Sequence, residues 1–160
     1  MTVKVKPAVL PAAITKYSKG DSATGEVRVQ AKLINAVDEG LMRRGLMAPD
    51  EVRTYVADAL VDTDSVRSVL PVEVAQQLGL ATIGKTRAEY ANGSEEMVDL
   101  TEGAVIEING RRAIKETLVL GNEVLIGQTI LEEMDLLVDC LNRRVIGNPA
   151  HPDQPVFKVK

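Results

Sequence analysis

Residues 59–70 read ALVDTDSVRSVL. An apolar run ends at Asp62, small polar residues follow, and the chain then becomes apolar again. This pattern places a carboxylate at the end of a core strand, where hydroxyl and backbone N–H groups can donate hydrogen bonds to it and shift its pKa. An Asp-Thr pair alone is more typical of a turn that Asp62 merely caps, so the surrounding sequence has to decide between the two interpretations.

The chain around this stretch has the pattern of short β-strands. In residues 27–33 apolar and polar side chains alternate, which predicts a half-buried strand, and residues 52–62 become continuously apolar as a strand entering the core does. Asn-Gly pairs at 92–93 and 109–110 predict two tight hairpin turns with positive φ at both residues. A mostly β fold is therefore expected.

Helices are expected to be short and few. Residues 71–78 begin with a proline and are followed by Gly79, which favours a short helix that stops there. Residues 128–135 (QTILEEMD) have an amphipathic helical pattern, and residues 38–48 predict a loop with one helical turn.

Composition excludes several functions. The 160 residues correspond to one domain, and a net charge of −4 with 2% aromatic residues lacks the basic surface and stacking groups of a nucleic-acid binder. One cysteine, Cys140, excludes an intrachain disulfide and fits a reducing compartment. One histidine, His151, excludes zinc sites built on several histidines. Carboxylates remain as the abundant reactive groups.

Three segments are expected. Residues 1–24 predict an N-terminal arm, residues 25–148 the folded domain, and residues 149–160 a Pro-rich tail. The first residues could mimic a secretory signal, but two prolines break their apolar run and no cleavage site follows. No stretch reaches the ~18 apolar residues of a membrane span, so we expect a cytoplasmic protein without a membrane partner.

The decisive stretch resembles the catalytic loop of the retropepsin-like (retroviral-type, clan AA) aspartic proteases. The matching residues are Leu60, Val61, Asp62, Thr63, Ser65, Ser68, Val69 and Leu70. Residues 125–127 (LIG), followed by QTILEEMD, look like the hydrophobic-hydrophobic-Gly loop and helix of that family, and residues 88–96 (AEYANGSEE) look like its flap hairpin. The resemblance covers residues 25–148, and the bacterial stand-alone, single-domain members are the type expected.

The resemblance implies a role for each matching residue. Asp62 is then the catalytic residue, Thr63 reaches across a dimer to the other loop, and Ser65 donates to the outer oxygen of Asp62. Structural support beneath the loop is implied for Leu125, Ile126 and Gly127. Substrate-binding positions on the flap are implied for Tyr90, Asn92 and Gly93, although Tyr90 is equally typical of cross-strand packing.

The family's fold and chemistry follow as further implications. The expected fold is all-β with minor helix, a single-lobe pepsin/retropepsin-like structure assembled as a homodimer. Two Asp62 side chains would then share one proton, activate a water and hydrolyse a polypeptide bound as an extended strand. No metal or organic cofactor is implied.

Two positions depart from the family pattern. Asp64 stands where the catalytic-loop triplet has glycine, and it adds a Cβ and a negative charge where two loops approach closely. Gln128 stands where retroviral members usually have arginine, so the ion pair made there is absent. The first departure leaves open a weakly active or inactive dimer that acts as a peptide-binding or dimerisation module. A β-rich binding domain of unrelated origin is the third alternative.

Other reactive residues are expected to be structural. Glu132, Glu133 and Asp135 are typical of the solvated face of a helix. Cys140 and His151 could form a thiol-protease pair, but the cysteine is more typical of a small buried apolar group and the histidine lies in the Pro-rich tail.

Overall fold

The computed structural model describes residues 25–160, so the arm expected at residues 1–24 lies outside the described residues. Within residues 25–160 the fold consists mainly of strands: β1 (Val27–Asn35), β2 (Thr54–Val61), β3 (Val69–Leu70), β4 (Thr82–Glu89), β5 (Glu95–Thr101), β6 (Ala104–Ile108), β7 (Arg111–Lys115), β8 (Leu118–Val119), β9 (Leu125–Ile126), β10 (Leu136–Asp139) and β11 (Arg144–Gly147). The helices are α1 (Ala36–Arg43), α2 (Val72–Gln77), α3 (Gln128–Glu133) and a 3-10 turn (Pro49–Glu51). The expectation of a mostly β fold with minor helix is confirmed.

One sheet of nine strands organises the molecule, in the order β4-β5-β8-β3-β9-β2-β1-β6-β7. Strands β2 and β3 follow one another in the chain, yet β9 lies between them. Leu125 of β9 pairs in parallel with Leu60 of β2 and antiparallel with Val69 of β3. The strands form a ψ-shaped arrangement, in which β9 is the central stroke between β2 and β3. The loop of residues 62–68, which joins β2 to β3, therefore crosses the end of β9.

The alternating pattern of β1 has the expected structural consequence. Val27, Val29, Ala31 and Leu33 are buried while the intervening side chains face outward. β2 pairs antiparallel with β1 along its whole length and adds its own buried face to the core. Each buried Val or Leu contributes about 1.5–3 kcal/mol relative to an exposed one, so these two strands form a firm base for the loop that follows β2.

Both predicted helices are confirmed. α2 starts after Pro71 and ends before Gly79, whose φ of +65° only glycine adopts readily. Residues 38–48 differ from expectation, since α1 is a full eight-residue helix. The reason is the cap: the Asn35 side chain accepts hydrogen bonds from the N–H groups of Val37 and Asp38, which starts the helix before the glycines.

The two Asn-Gly pairs form different turns. Asn109 and Gly110 have φ of 52° and 80°, which confirms the two-residue turn predicted there. The prediction for Asn92 and Gly93 is wrong in one respect, because only Gly93 has a positive φ. The Gly93 N–H donates to the Tyr90 carbonyl at 2.8 Å, and Gly93 then closes a three-residue loop. The Asn92 side chain is occupied elsewhere: it accepts from the Ser94 N–H at 2.9 Å.

The expectation of a solvated helical face is wrong for Asp135. Asp135 lies beyond α3 with φ of 56°, and its carboxylate accepts from the Asn148 amide at 2.9 Å and contacts His151 Nδ1 at 2.5 Å. The Asn148 hydrogen bond is the main cause that lowers the pKa of Asp135. Buried Arg111 adds donors to the carbonyls of Met134, Asp135 and His151. Residues 148–151 are thereby tied to the end of α3.

No helix in the described part of the chain is long and apolar enough to cross a membrane.

We expect Asp38→Ala to lower the free energy of unfolding by about 2 kcal/mol, because it removes a buried carboxylate that accepts charge-assisted hydrogen bonds from the half-exposed Arg53 side chain. Asp38 is 2% exposed and accepts from the Arg53 side chain at 2.8 and 2.9 Å. These bonds hold the pKa of Asp38 below its usual range. Its contribution is therefore present above about pH 4, the unfolded value, and is lost as the pH falls through the lower folded value.

Urea unfolding at neutral and at acidic pH measures this effect. The stability difference between wild type and Asp38→Ala should shrink on acidification. Asp50→Asn, which changes an exposed carboxylate, serves as the control and should leave stability unchanged at either pH. A difference that is independent of pH would contradict the assignment of this pair.

Candidate active site

Asp62 is the first residue after β2, and the backbone fixes its position. Its N–H donates to the Ile126 carbonyl at 2.9 Å, which extends the parallel pairing of β2 with β9 by one residue. Ile126 itself is fully buried. The Asp62 side chain therefore emerges from the rim of the core, half-buried, at the point where the ψ-shaped arrangement opens.

Two donors hold the Asp62 carboxylate. The Ser65 hydroxyl donates to Oδ2 at 2.8 Å, and the backbone N–H of Asp64 donates to Oδ1 at 3.0 Å. The Ser65 N–H also closes the turn on the Asp62 carbonyl at 3.1 Å. Each carboxylate oxygen thus has one partner from its own loop and lone pairs left for a further ligand.

The loop rests on residues 125–127, and Gly127 makes the closest contact. A Cβ at this position would lie 2.6 Å from the backbone carbon and oxygen of Arg67 and 2.9 Å from the Ser65 carbonyl oxygen. Leu125 and Ile126 form β9, which lies directly beneath the loop. Only glycine permits the loop and the start of α3 to approach this closely.

Hydrogen bonds fasten the same contact. The Gly127 N–H donates to Ser68 Oγ at 3.0 Å, and the Gln128 N–H donates to the Ser65 carbonyl at 2.7 Å. Ser68 is buried. The family resemblance predicted that Ser68 belongs to the loop, but it did not predict the hydrogen bond to Gly127. In the sequence Ser68 is a polar residue before two apolar ones, a pattern that is also typical of an ordinary strand start.

Thr63 and Asp64 lie at the surface of the molecule. Both are exposed, and within residues 25–160 no hydrogen bond or ion pair involves either side chain. The backbone at Asp64 has no positive φ, so the position accepts a Cβ in the single chain. The nearby Val66 is 68% exposed. The outer surface of the loop is therefore open to a second molecule.

The residues predicted to form a flap lie at the tip of the β4-β5 hairpin. Tyr90, Asn92 and Gly93 occupy its turn, and the Tyr90 hydroxyl donates to Glu96 Oε1 at 2.5 Å. This hydrogen bond raises the pKa of Tyr90. Tyr90 is thus tied across the hairpin in the described chain, and no hydrogen bond there joins the tip to the Asp62 loop. The structure brings together Asp62, Asp64, Ser65 and Gly127, and leaves the hairpin tip as a separate, exposed element.

The other reactive residues form no second site. Cys140 is exposed at the turn between β10 and β11, so the expectation that it is buried is wrong. His151 contacts Asp135. The Gln128 amide donates to Glu132 at 3.1 Å, within one helix. In residues 25–160 no three His, Cys, Asp or Glu side chains are grouped to hold a metal ion.

Comparisons with known proteins give partial similarity only. No family model and no curated protein matches the chain. One similar solved structure is the EIAV protease complexed with the inhibitor HBY-793, with 21% identity, a TM-score of 0.44 and coverage of 66% of this chain and 86% of that one. Another is the retroviral protease-like domain of Ddi1 from Leishmania major, with 12% identity, a TM-score of 0.49 and coverage of 77% and 88%.

Proposed function

We propose that the chain is a retropepsin-like aspartic endopeptidase whose active site is formed by two copies. The observation that carries the proposal is the Asp62 carboxylate, held by the Ser65 hydroxyl and the Asp64 N–H at the end of a strand in a ψ-shaped arrangement. A carboxylate that only capped its turn would accept from the N–H two residues on, as Asp62 does from Asp64, and would not require the Ser65 hydroxyl on its other oxygen.

The chemistry requires the Asp62 residues of two chains to face each other across one water. Like charges this close cannot both ionise, so the pair shares a proton. The ionised carboxylate takes a proton from the water as it attacks the scissile carbonyl, and the protonated one polarises that carbonyl. The substrate is a polypeptide in extended form, covered by the β4-β5 hairpin, whose turn carries Tyr90, Asn92 and Gly93. The mechanism uses no metal or organic cofactor.

The dimer follows from a count. The 160 residues contain one Asp-Thr catalytic triplet, whereas the dyad needs two. The open outer surface of the loop, with Thr63 and Val66 exposed, is where the second copy would contact. The proposed particle has two-fold symmetry and a mass of 34.6 kDa (2 × 17.3 kDa). Sedimentation that finds a monomer at all working concentrations would exclude this mechanism.

A specific observation also favours a second function. Asp64 adds an exposed carboxylate beside Asp62, and this charge opposes the close approach of two loops. A dimer with impaired chemistry would still present the hairpin and act as a peptide-binding or dimerisation module. Peptide cleavage that depends on Asp62 separates the two functions.

The deciding experiment is a digest of a peptide library from acidic to neutral pH. We expect internal peptide bonds to be cut by wild type and not by Asp62→Asn. Retention of library peptides by both proteins without any cleavage would favour the binding module. If the library peptides were neither bound nor cut, both proposed functions would be excluded.

A further inference from the structure

Asp64 combines three properties that no other residue of the loop has. Its backbone N–H orients Asp62, its own carboxylate is exposed, and in the described residues that carboxylate has no hydrogen-bond or ion-pair partner. It is also two residues from Asp62 in one tight turn. A change in its charge therefore acts at the surface where a second loop would approach.

The charged groups around the loop do not neutralise Asp64. Arg67, in the same loop, pairs with Glu116 at 3.5 Å, and Arg28, beside β2, pairs with Glu123 at 2.8 Å. The start of α3 packs against the loop with the uncharged Gln128 and Thr129. The next charged residue of α3 is Glu132, which accepts from the Gln128 amide. Both arginines have carboxylate partners, and no basic side chain of the described residues is paired with Asp64.

Two copies of the loop would bring this charge together. The dimer of the proposed function places Asp62 and Asp64 of each chain near the two-fold axis, which makes four carboxylates from two chains. A shared proton relieves the repulsion between the Asp62 pair. It leaves both Asp64 carboxylates charged at neutral pH.

We infer that Asp64 makes assembly of the two-chain site depend on protons: association is weak at neutral pH and strengthens on acidification. This inference rests on the proposed function, since it requires the two loops to meet. The direction of the pH effect follows from the linkage between proton binding and dimerisation. Protonation lowers the repulsion in the dimer, so the dimer binds more protons than two separated chains and gains affinity as the pH falls. Glycine at this position would leave only the Asp62 pair to respond.

The test measures the dimer dissociation constant by sedimentation at about pH 7.5 and at about pH 4.5, which provides a thousandfold higher proton concentration. The proteins are wild type, Asp64→Asn and Asp50→Asn. Asparagine keeps the size of the side chain and the backbone N–H that holds Asp62, and Asp50→Asn makes the same change on an exposed residue of the 3-10 turn. Asp64→Gly repeats the test without a Cβ.

We expect Asp64→Asn to bind its partner at least about tenfold more tightly than wild type at neutral pH, because it removes two of the three negative charges that remain once the Asp62 pair shares a proton. Its gain in affinity on acidification should be correspondingly smaller. Asp50→Asn should match wild type. Dimers of wild type and Asp64→Asn with equal affinity at neutral pH would overturn the inference and leave the proposed function standing. Monomers at both pH values for every variant would overturn both.

Discussion

Asp62→Asn should reduce the rate of peptide cleavage by about a thousandfold or more, since an amide can neither take a proton from water nor share one with its partner. This is the largest change in cleavage rate that the proposed function predicts for a single substitution. The measurement is kcat/KM on a peptide selected from the library digest. Dimer affinity and melting temperature are measured on the same protein, because only an intact dimer makes the loss informative.

The fold should survive this substitution. An asparagine at position 62 can accept from the Asp64 N–H, as the Asp62 Oδ1 atom does now at 3.0 Å, and its amide can donate to the Ser65 hydroxyl. Asp58→Asn is the matched control, because Asp58 lies on the same strand, β2, away from the loop. Residual cleavage within tenfold of wild type in Asp62→Asn would show that the chemistry lies elsewhere.

Gly127→Ala should lower the free energy of unfolding by about 3 kcal/mol, the upper part of the range for a forced backbone shift. The added Cβ would lie 2.6 Å from backbone atoms of Arg67, which cannot move as the end of a flexible side chain can. Relief requires the loop to rise from β9, and this loosens the hydrogen bond from the Gln128 N–H to Ser65. Cleavage should be lost together with stability.

Gly84→Ala is the control for Gly127→Ala. Gly84 lies at an irregular position of the β4-β5 pairing, has no positive φ, and would place its Cβ in open space. Urea unfolding should find this variant as stable as wild type. If Gly127→Ala were equally stable, the loop would not depend on the contact with residues 125–127, and the support assigned to Gly127 would be wrong.

Local features of this fold were predictable because each depends on a few adjacent residues. The alternation in residues 27–33 predicted β1, the Pro71 and Gly79 pair predicted α2, and Asn109-Gly110 predicted its turn, as the structure confirms. The clustering of Ser65 near Asp62 was likewise implied by the family resemblance of the loop. Hydrogen bonds at 2.8 and 3.0 Å now give that cluster its geometry.

Features that depend on distant residues were not predictable. The Asp135 network joins residues that are 13 and 16 positions apart, so the helical pattern around it indicated a solvated face. Such contacts are set by tertiary packing and override local preference.

The environment of Asp64 was also predictable only in part. The sequence alone predicted crowding by its Cβ and charge, but the backbone of the single chain accepts the residue, with its N–H still directed at Asp62. For the approach of two chains, crowding by the Cβ and repulsion between the charges both stay predictions. Protons can relieve the repulsion but not the crowding.

The central claim, that two chains build one site, is tested most directly by mixing wild type with Asp62→Asn. Peptide cleavage by a fixed amount of wild type is measured after exchange with increasing amounts of the variant, with substrate in large excess and at an acidic pH and protein concentration at which sedimentation finds both proteins fully dimeric. If the dyad is shared, each mixed dimer is inactive, and the rate should fall to about one half at equal amounts and to about one tenth at a ninefold excess. A rate that stays constant as the variant is added would mean that each chain carries a complete site, and would contradict the claim.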